Sequence, residues 1–292
     1  MNEDRPLTWV EFPRQTQVNL PVGAADCHCH IFGPRARFPF AQASKLKPAD
    51  APKEALFALH DQMGIDRCVI VQSGVHGFDN TVVEDAMAAR PGRYLGVALA
   101  PPDVSDAELD RLALGGFRGI RFNYMAHLPP GADEAQLAAL APRLQARGMH
   151  LQIHMEPALI ETMALILVDL PVTVVIDHVG RIDATLGRDH AHFQALLRLL
   201  DAAHVWCKVS GTERNSNLAP PYADAVPLTA EVVARIPDKV VWGTDWPHPN
   251  YRTDPPNDGD LFDLIPQIAQ TDAQLQALMV DNPVKLYRFK EI

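Results

Sequence analysis

The chain is patterned as short apolar runs, each closed by a turn signal and followed by a stretch with helical spacing. The first run, Ala24–His30, ends in the turn signal Ile31-Phe32-Gly33-Pro34. Ala51–Met63 then reads as a helix, because Leu56, Leu59 and Met63 recur at three- and four-residue spacing. The spacing predicts further strands over Asp66–Gln72, Tyr94–Ala100, Gly119–Asn123, Met149–Met155, Val172–His178, Val205–Ser210 and Val240–Gly243. Helices are predicted between them, over Asn80–Ala89, Ser105–Leu114, Glu134–Arg147, Ala158–Val168, Ala191–Ala202 and Thr229–Ile236. Two more, about Leu261–Ala269 and Asp272–Met279, close the chain.

Strands that are apolar on both faces belong to parallel sheets covered on both sides. Eight strand-loop-helix units within 292 residues predict an α/β protein of the (β/α)8, or TIM, barrel class. A doubly wound open sheet is the runner-up. It usually carries a glycine-rich phosphate loop after the first strand, and His28-Cys29-His30 stands there instead. Residues 1–23, polar and proline-bearing, read as an arm packed over a single barrel domain spanning 24–292.

Composition narrows the function. A hydrophobic share of 47% supplies the core that one large domain needs. The net charge of −10 disfavours nucleic acid and anionic membranes, so specific arginines must collect any anionic substrate. No apolar run reaches the length of a membrane span, and Met1–Pro6 lack the basic-then-apolar pattern of a signal peptide. Cys27, Cys29, Cys68 and Cys207 lie in apolar runs without Cys-x-x-Cys spacing, which suits reduced core thiols and a cytoplasmic location. A homo-oligomer is compatible with the chain, and no stretch specifies one.

The polar residues collect at strand ends. Strict alternation on the first strand puts His28 and His30 on one face with Asp26 behind them, and Cys27 and Cys29 on the other. The thiols therefore face away from any histidine site. Strand two is followed by Ser73 and His76; strand four carries Arg121 and Asn123; strand five ends in His154. His178 ends strand six, Arg181 and Arg214 follow strands six and seven, and Asp245 and His248 follow strand eight. In a barrel these ends share one mouth, where active sites lie. Histidines and an aspartate from so many strands point to a functional cluster.

Three stretches resemble the amidohydrolase superfamily, in its amidohydrolase-2 branch: Ala25-Asp26-Cys27-His28-Cys29-His30-Ile31-Phe32-Gly33-Pro34, Asp177-His178-Val179-Gly180-Arg181 and Trp242-Gly243-Thr244-Asp245-Trp246-Pro247-His248. Together with Gly119-Ile120-Arg121-Phe122-Asn123 they are most similar to the 2-pyrone-4,6-dicarboxylate lactonases. The resemblance covers about residues 20 to 288. It implies a hydrolase that opens the lactone ring of a small carboxylated or sulfonated anion in aromatic-compound degradation. Asp245 would act as general base, with His28, His30 and His178 around the developing oxyanion. Arg121 and Arg214 would grip anionic groups, and Asn123, Ser73, His76, His127, His154, Arg181 and His248 complete the candidate substrate site.

This chain departs from those lactonases in three places. His127 stands where they carry a second arginine, His154 where they carry a tyrosine, and Leu46 where they carry another. The chemistry therefore carries over better than the substrate, and muconolactones and sugar-acid lactones are alternatives. His28, His30, His178 and Asp245 also make a ligand set for a single divalent metal such as zinc. The lactonases of this branch work without a metal, so no required cofactor is expected. No lysine ends strand four to bridge a metal pair. A metal-dependent non-oxidative decarboxylase is the competing enzyme reading. A non-catalytic dicarboxylate-binding barrel is the third, and a buried Asp245 gives it no advantage.

Overall fold

Eight parallel strands pair in chain order: β1 (Ala25–Cys29), β2 (Arg67–Val71), β3 (Tyr94–Ala98), β4 (Phe117–Tyr124), β5 (His150–Met155), β6 (Val174–Ile176), β7 (Val205–Lys208) and β8 (Val240–Val241). The computed structural model describes residues 7–128, 131–251 and 253–290. Residues 1–6 of the expected arm, and 129–130, 252 and 291–292 of the expected domain, lie outside the described residues. The ring closes just beyond β8, where the Cys27 N–H donates to the Trp242 carbonyl at 2.8 Å and the Asp245 N–H to that of His28 at 2.7 Å. This is the (β/α)8 barrel of amidohydrolase type that the alternation predicts.

Two apolar layers follow from the strand alternation. Cys29, Cys68, Ile70, Ile120, Ile153 and Ile176 face outward and pack with helix residues such as Leu56, Leu109 and Leu196. Ala25, Cys27, Val69, Val97, Val175 and Val241 face inward, where Tyr287 and Phe289 from the chain's end plug the barrel floor.

Strict alternation fails on β1. Its register against β2 takes one extra residue between Asp26 and Cys29, a β-bulge. Cys27 consequently faces the interior, whereas Cys29 packs outside with its Sγ 3.2 Å from that of Cys68. The two thiols do not share a face, as alternation had it. Nor does Asp26 lie behind the histidines: it faces outward, bonded to His60 Nε2 at 3.2 Å and the Thr244 hydroxyl at 2.6 Å. The bulge is what lets Cys27 and His28 both face inward.

Other boundaries also shift. The loop after β7 contains a short helix, Thr212–Asn215, that the sequence pattern does not announce. The expected Leu261–Ala269 helix is two short ones, Asp258–Phe262 and Ile265–Ile268. The Asp272–Met279 helix passes into a π-turn, Ala277–Asp281, and then Asn282–Tyr287. The described part of the first 23 residues runs against the loop after β8 and the helix after it. Trp9 packs on Trp246 with ring centres 5.3 Å apart, and Arg14 meets Asp260 and Asp263 at 2.7 Å each. Among the described residues no helix is long and apolar enough to cross a membrane.

Candidate active site

One oxygen of Asp245 is the focus of the barrel mouth. The Nε2 atoms of His30, His28 and His178 lie 3.2, 3.6 and 3.9 Å from Asp245 Oδ1. All four side chains are almost wholly buried. They come from β1, the end of β6 and the end of β8, so the closure of the ring brings them together.

Each imidazole is set by a partner behind it. His30 Nδ1 lies 2.7 Å from the Val71 carbonyl and must donate to it, so its Nε2 is a lone pair unless the ring is doubly protonated. His28 Nδ1 faces Asp177 Oδ1 at 3.4 Å. Burial and then Lys208 push the His28 imidazole down to about 4. A neutral ring with its proton toward Asp177 presents an Nε2 lone pair to the mouth. His178 Nδ1 pairs with the Ser210 hydroxyl at 3.0 Å, and burial holds this ring well below the usual histidine range.

His178 sits in a strained turn. His178, Val179, Gly180 and Arg181 have φ of 52°, 53°, 64° and 56°. A left-handed conformation costs about 1–2 kcal/mol for each L-residue, so a run of this kind persists only where its surroundings enforce it. Asn215 Nδ2 does so by donating to the His178 carbonyl at 3.1 Å. Two glycines let neighbouring backbone come close. A Cβ at Gly211 would lie 2.8 Å from His178 Nδ1, and one at Gly243 2.5 Å from the His28 backbone nitrogen.

The charges around the focus are mixed. Burial opposes ionisation of Asp245, but Arg214 and the imidazoles outweigh it and hold the carboxyl well below the usual range. Arg214 Nε donates to Asp245 Oδ2 and its Nη1 to the Pro249 carbonyl at 3.0 Å, while Nη2 is buried without a partner among the described residues. Arg181 stands half-buried beside it, its pKa lowered by burial and by Arg214. On the opposite wall, Arg121 Nε donates to Asp177 Oδ2 at 2.8 Å.

Of the remaining candidates, the structure brings some to the mouth and leaves others outside it. His154 Nδ1 bonds Asn123 Oδ1 at 3.0 Å, with its ring centre 5.5 Å from that of His178. His76 braces two loops: its Nε2 accepts from the Gly33 N–H and its Nδ1 donates to the Pro39 carbonyl, both at 3.2 Å. The Ser73 hydroxyl accepts from the Val75 N–H at 3.3 Å. His248 is fully buried against Asp258 at 3.1 Å, which raises its pKa against burial. His127 is exposed on the loop after β4.

Residues to which the sequence pattern gives no role stand behind these side chains. Asp177 accepts from Arg121 and, at 3.1 Å, from Gln152 Nε2. Burial opposes its ionisation, but Arg121, His28 and Lys208 hold it well below the usual range. Lys208 is wholly buried in the barrel, and burial brings its pKa down to about 8 although Asp177 acts to raise it. Glu213 lies 3.5 Å from Arg214 Nε, and burial raises its carboxyl. The hints in the sequence are Asp177 beside His178 and a lysine inside an otherwise apolar strand, Val205-Trp206-Cys207-Lys208-Val209.

These donors fit one divalent cation. One ligand atom each from His28, His178 and Asp245 lies within 4.8 Å of the others. His28 Nε2 and Asp245 Oδ1 are buried without partners among the described residues. Two lone-pair groups 3.6 Å apart require a shared donor or cation between them. Tetrahedral bonds of about 2.1 Å place ligand atoms roughly 3.4 Å apart, close to the spacings here.

Comparison with known proteins agrees with this geometry. The amidohydrolase family model matches residues 25–289. A 2-pyrone-4,6-dicarboxylate hydrolase of Comamonas testosteroni is 42% identical, covering 98% of this chain and 97% of its own. A 4-sulfomuconolactone hydrolase of Hydrogenophaga intermedia is 36% identical, covering 92% of this chain and 89% of its own. Among solved structures, a putative 2-pyrone-4,6-dicarboxylic acid hydrolase from Pseudomonas putida superposes with a TM-score of 0.79 at 28% identity, over 94% of this chain and 100% of that one.

Proposed function

This chain belongs to the amidohydrolase family, and we propose that within it the protein is a hydrolase that opens the lactone ring of a small anionic substrate. The observation that carries this reading is the convergence of three imidazoles on Asp245 Oδ1, beside Arg214, whose Nη2 is buried without a partner among the described residues. The relatives named above as lactone hydrolases support the same reaction class.

Attack on a lactone carbonyl needs an activated water, a stabilised oxyanion and a grip on the acid. A water between Asp245 Oδ1 and His28 Nε2 donates one hydrogen to each, which turns its lone pairs toward the substrate. Asp245 takes the proton as the new C–O bond forms. His178, with Ser210 donating to Nδ1, presents its Nε2–H to the carbonyl oxygen as charge develops there. When the tetrahedral adduct collapses, the ring C–O bond breaks, and Asp245 returns its proton to the departing oxygen. Arg214 Nη2, Arg181 and the terminal nitrogens of Arg121 hold the carboxylate or sulfonate groups.

A divalent cation would be held by His28, His178 and Asp245. Once bound, it supplies Lewis acidity to the carbonyl and a more acidic water. The side chains named above supply each of these functions themselves, so we assign the reaction no required metal.

The test is a panel of lactones followed by proton release: 2-pyrone-4,6-dicarboxylate, carboxy- and sulfomuconolactones, and aldarolactones. Turnover of at least one with one proton released per ring opened is expected. Release of CO2 from a carboxylated substrate with no lactone opened would replace this reading with a decarboxylase. Tight binding with no turnover at any pH would replace it with a binding protein.

A further inference from the structure

Hydrolysis as described assigns no step to Lys208, yet this lysine is buried completely in the barrel beneath the mouth. Its Nζ donates to the Cys27 carbonyl at 2.8 Å, at the bulge that turns His28 inward. From that anchor the ammonium lies 3.9 Å from Asp177 Oδ1 and 5.9 Å from the centre of the Tyr287 ring. The other oxygen of Asp177 is held by Arg121 and Gln152. Oδ1 is the oxygen that faces His28 Nδ1 at 3.4 Å, and it has no hydrogen-bond partner among the described residues. Lys208 and His28 thus address the same carboxylate oxygen from two sides.

We propose that Lys208 is a positioning residue: fixed by the Cys27 carbonyl, it holds Asp177 Oδ1 in the place that orients the His28 ring. This rests on the assignment of His28 to the activated water. A carboxylate behind a ring nitrogen sets both the tautomer and the ring plane, and its own position depends on what holds it. Arg121 and Gln152 fix Oδ2 alone and leave the carboxylate free to turn about that point. The ammonium supplies the missing restraint. A neutral side chain of the same length would fill the space without holding the oxygen.

The experiment is a double-mutant cycle of Lys208→Met and Asp177→Asn, with kcat and KM measured separately on the best lactone of the panel. Lys208→Met is expected to lower kcat about 10–100-fold with KM within about twofold, because the arginines that bind the anion are untouched. In the Asp177→Asn background the same substitution should change kcat less than about threefold. If Lys208→Met fails to fold, Lys208→Gln, a shorter neutral side chain that keeps a donor near the Cys27 carbonyl, replaces it in both backgrounds. An equal loss in both backgrounds would overturn the proposal, as would an unchanged kcat in folded Lys208→Met. A second readout needs no lactone. In protein carrying 15N-histidine, the His28 Nδ1 proton signal, assigned by its loss in Asp177→Asn, should shift or broaden in Lys208→Met. An unmoved signal overturns the positioning role even if the lactone reading stands, and a shifted signal with no lactone opened fails that reading alone.

Discussion

Arg214 grips the oxygen of Asp245 that the three imidazoles leave free. Its Nε donates to Oδ2, while His28, His30 and His178 point at Oδ1. One carboxylate is thereby divided into a clamped side and a working side. The clamp keeps the carboxylate ionised and fixes its plane, at the expense of basicity. In the proposed mechanism the substrate's anionic group shares the same guanidinium.

Asp245→Asn should abolish turnover, with kcat lower by at least about 10³-fold, because general-base contributions reach that size. The fold should survive, since Glu213 lies 3.5 Å from Arg214 Nε and can take up its charge. Circular dichroism beside initial rates checks both halves. Retained turnover would remove Asp245 from the role of base.

Arg214→Met should cost about 2–4 kcal/mol in transition-state binding of an anionic lactone, or roughly 30- to 1,000-fold in kcat/KM. A neutral lactone ester should lose far less. Arg214→Lys should recover little, because a point charge cannot both clamp Oδ2 and present a second donor to substrate. Kinetics on the charged and neutral substrates separate these effects.

Gly211→Ala should damage catalysis without replacing any catalytic side chain. The φ of 70° is strained for alanine, and the new Cβ would press on His178 Nδ1 from 2.8 Å. We expect a loss of about 1–2 kcal/mol of stability and about a tenfold fall in kcat. Thermal melts and kcat measurements test this; a native kcat would show that the His178 ring tolerates displacement.

Stability should fall as the pH is lowered from neutral. Burial first, and then Lys208, bring the folded-state pKa of His28 to about 4 and of His150 to about 3, against 6.5 for the free side chain. Both rings are neutral when folded and take up protons when unfolded. Their contribution is therefore complete above pH 6.5 and is lost as the pH falls through the folded values, by roughly 3 kcal/mol for His28 and roughly 5 kcal/mol for His150. Melting temperature recorded between pH 8 and pH 4 should drop steadily. His150→Gln, on the barrel floor and remote from the mouth, should flatten part of that slope.

Chelation should leave turnover intact. Water orientation, proton transfer and oxyanion contact are each assigned above to a side chain. Metal analysis of protein prepared without added metal, beside an EDTA-treated assay, tests this. Stoichiometric zinc, with activity lost on removal and restored on return, would assign a required cation to His28, His178 and Asp245.

The barrel could be read from the chain because its signals are local and repeated. Apolar runs such as Val205–Cys207 show burial on both faces, and their alternation with helical spacing permits few topologies. The meeting of His28, His178 and Asp245 followed from that topology, since strand ends of a barrel share one rim. Element ends were read less well: β8 is only Val240–Val241, and the short Thr212–Asn215 helix carries too few residues to show a period.

By itself, the sequence determined the architecture, the rim on which the chemistry lies and the residue types available there. Only the tertiary structure decided which of those residues face one another. The β1 bulge sent Cys27 inward and Asp26 outward, His76 and His248 went to bracing, and Asp177 and Lys208 joined the site from inside the barrel. The physical reason is one of range. Burial and periodicity are written in neighbouring residues, whereas a single inserted residue reverses a strand's faces, and the partner of a buried charge is chosen across the barrel by packing.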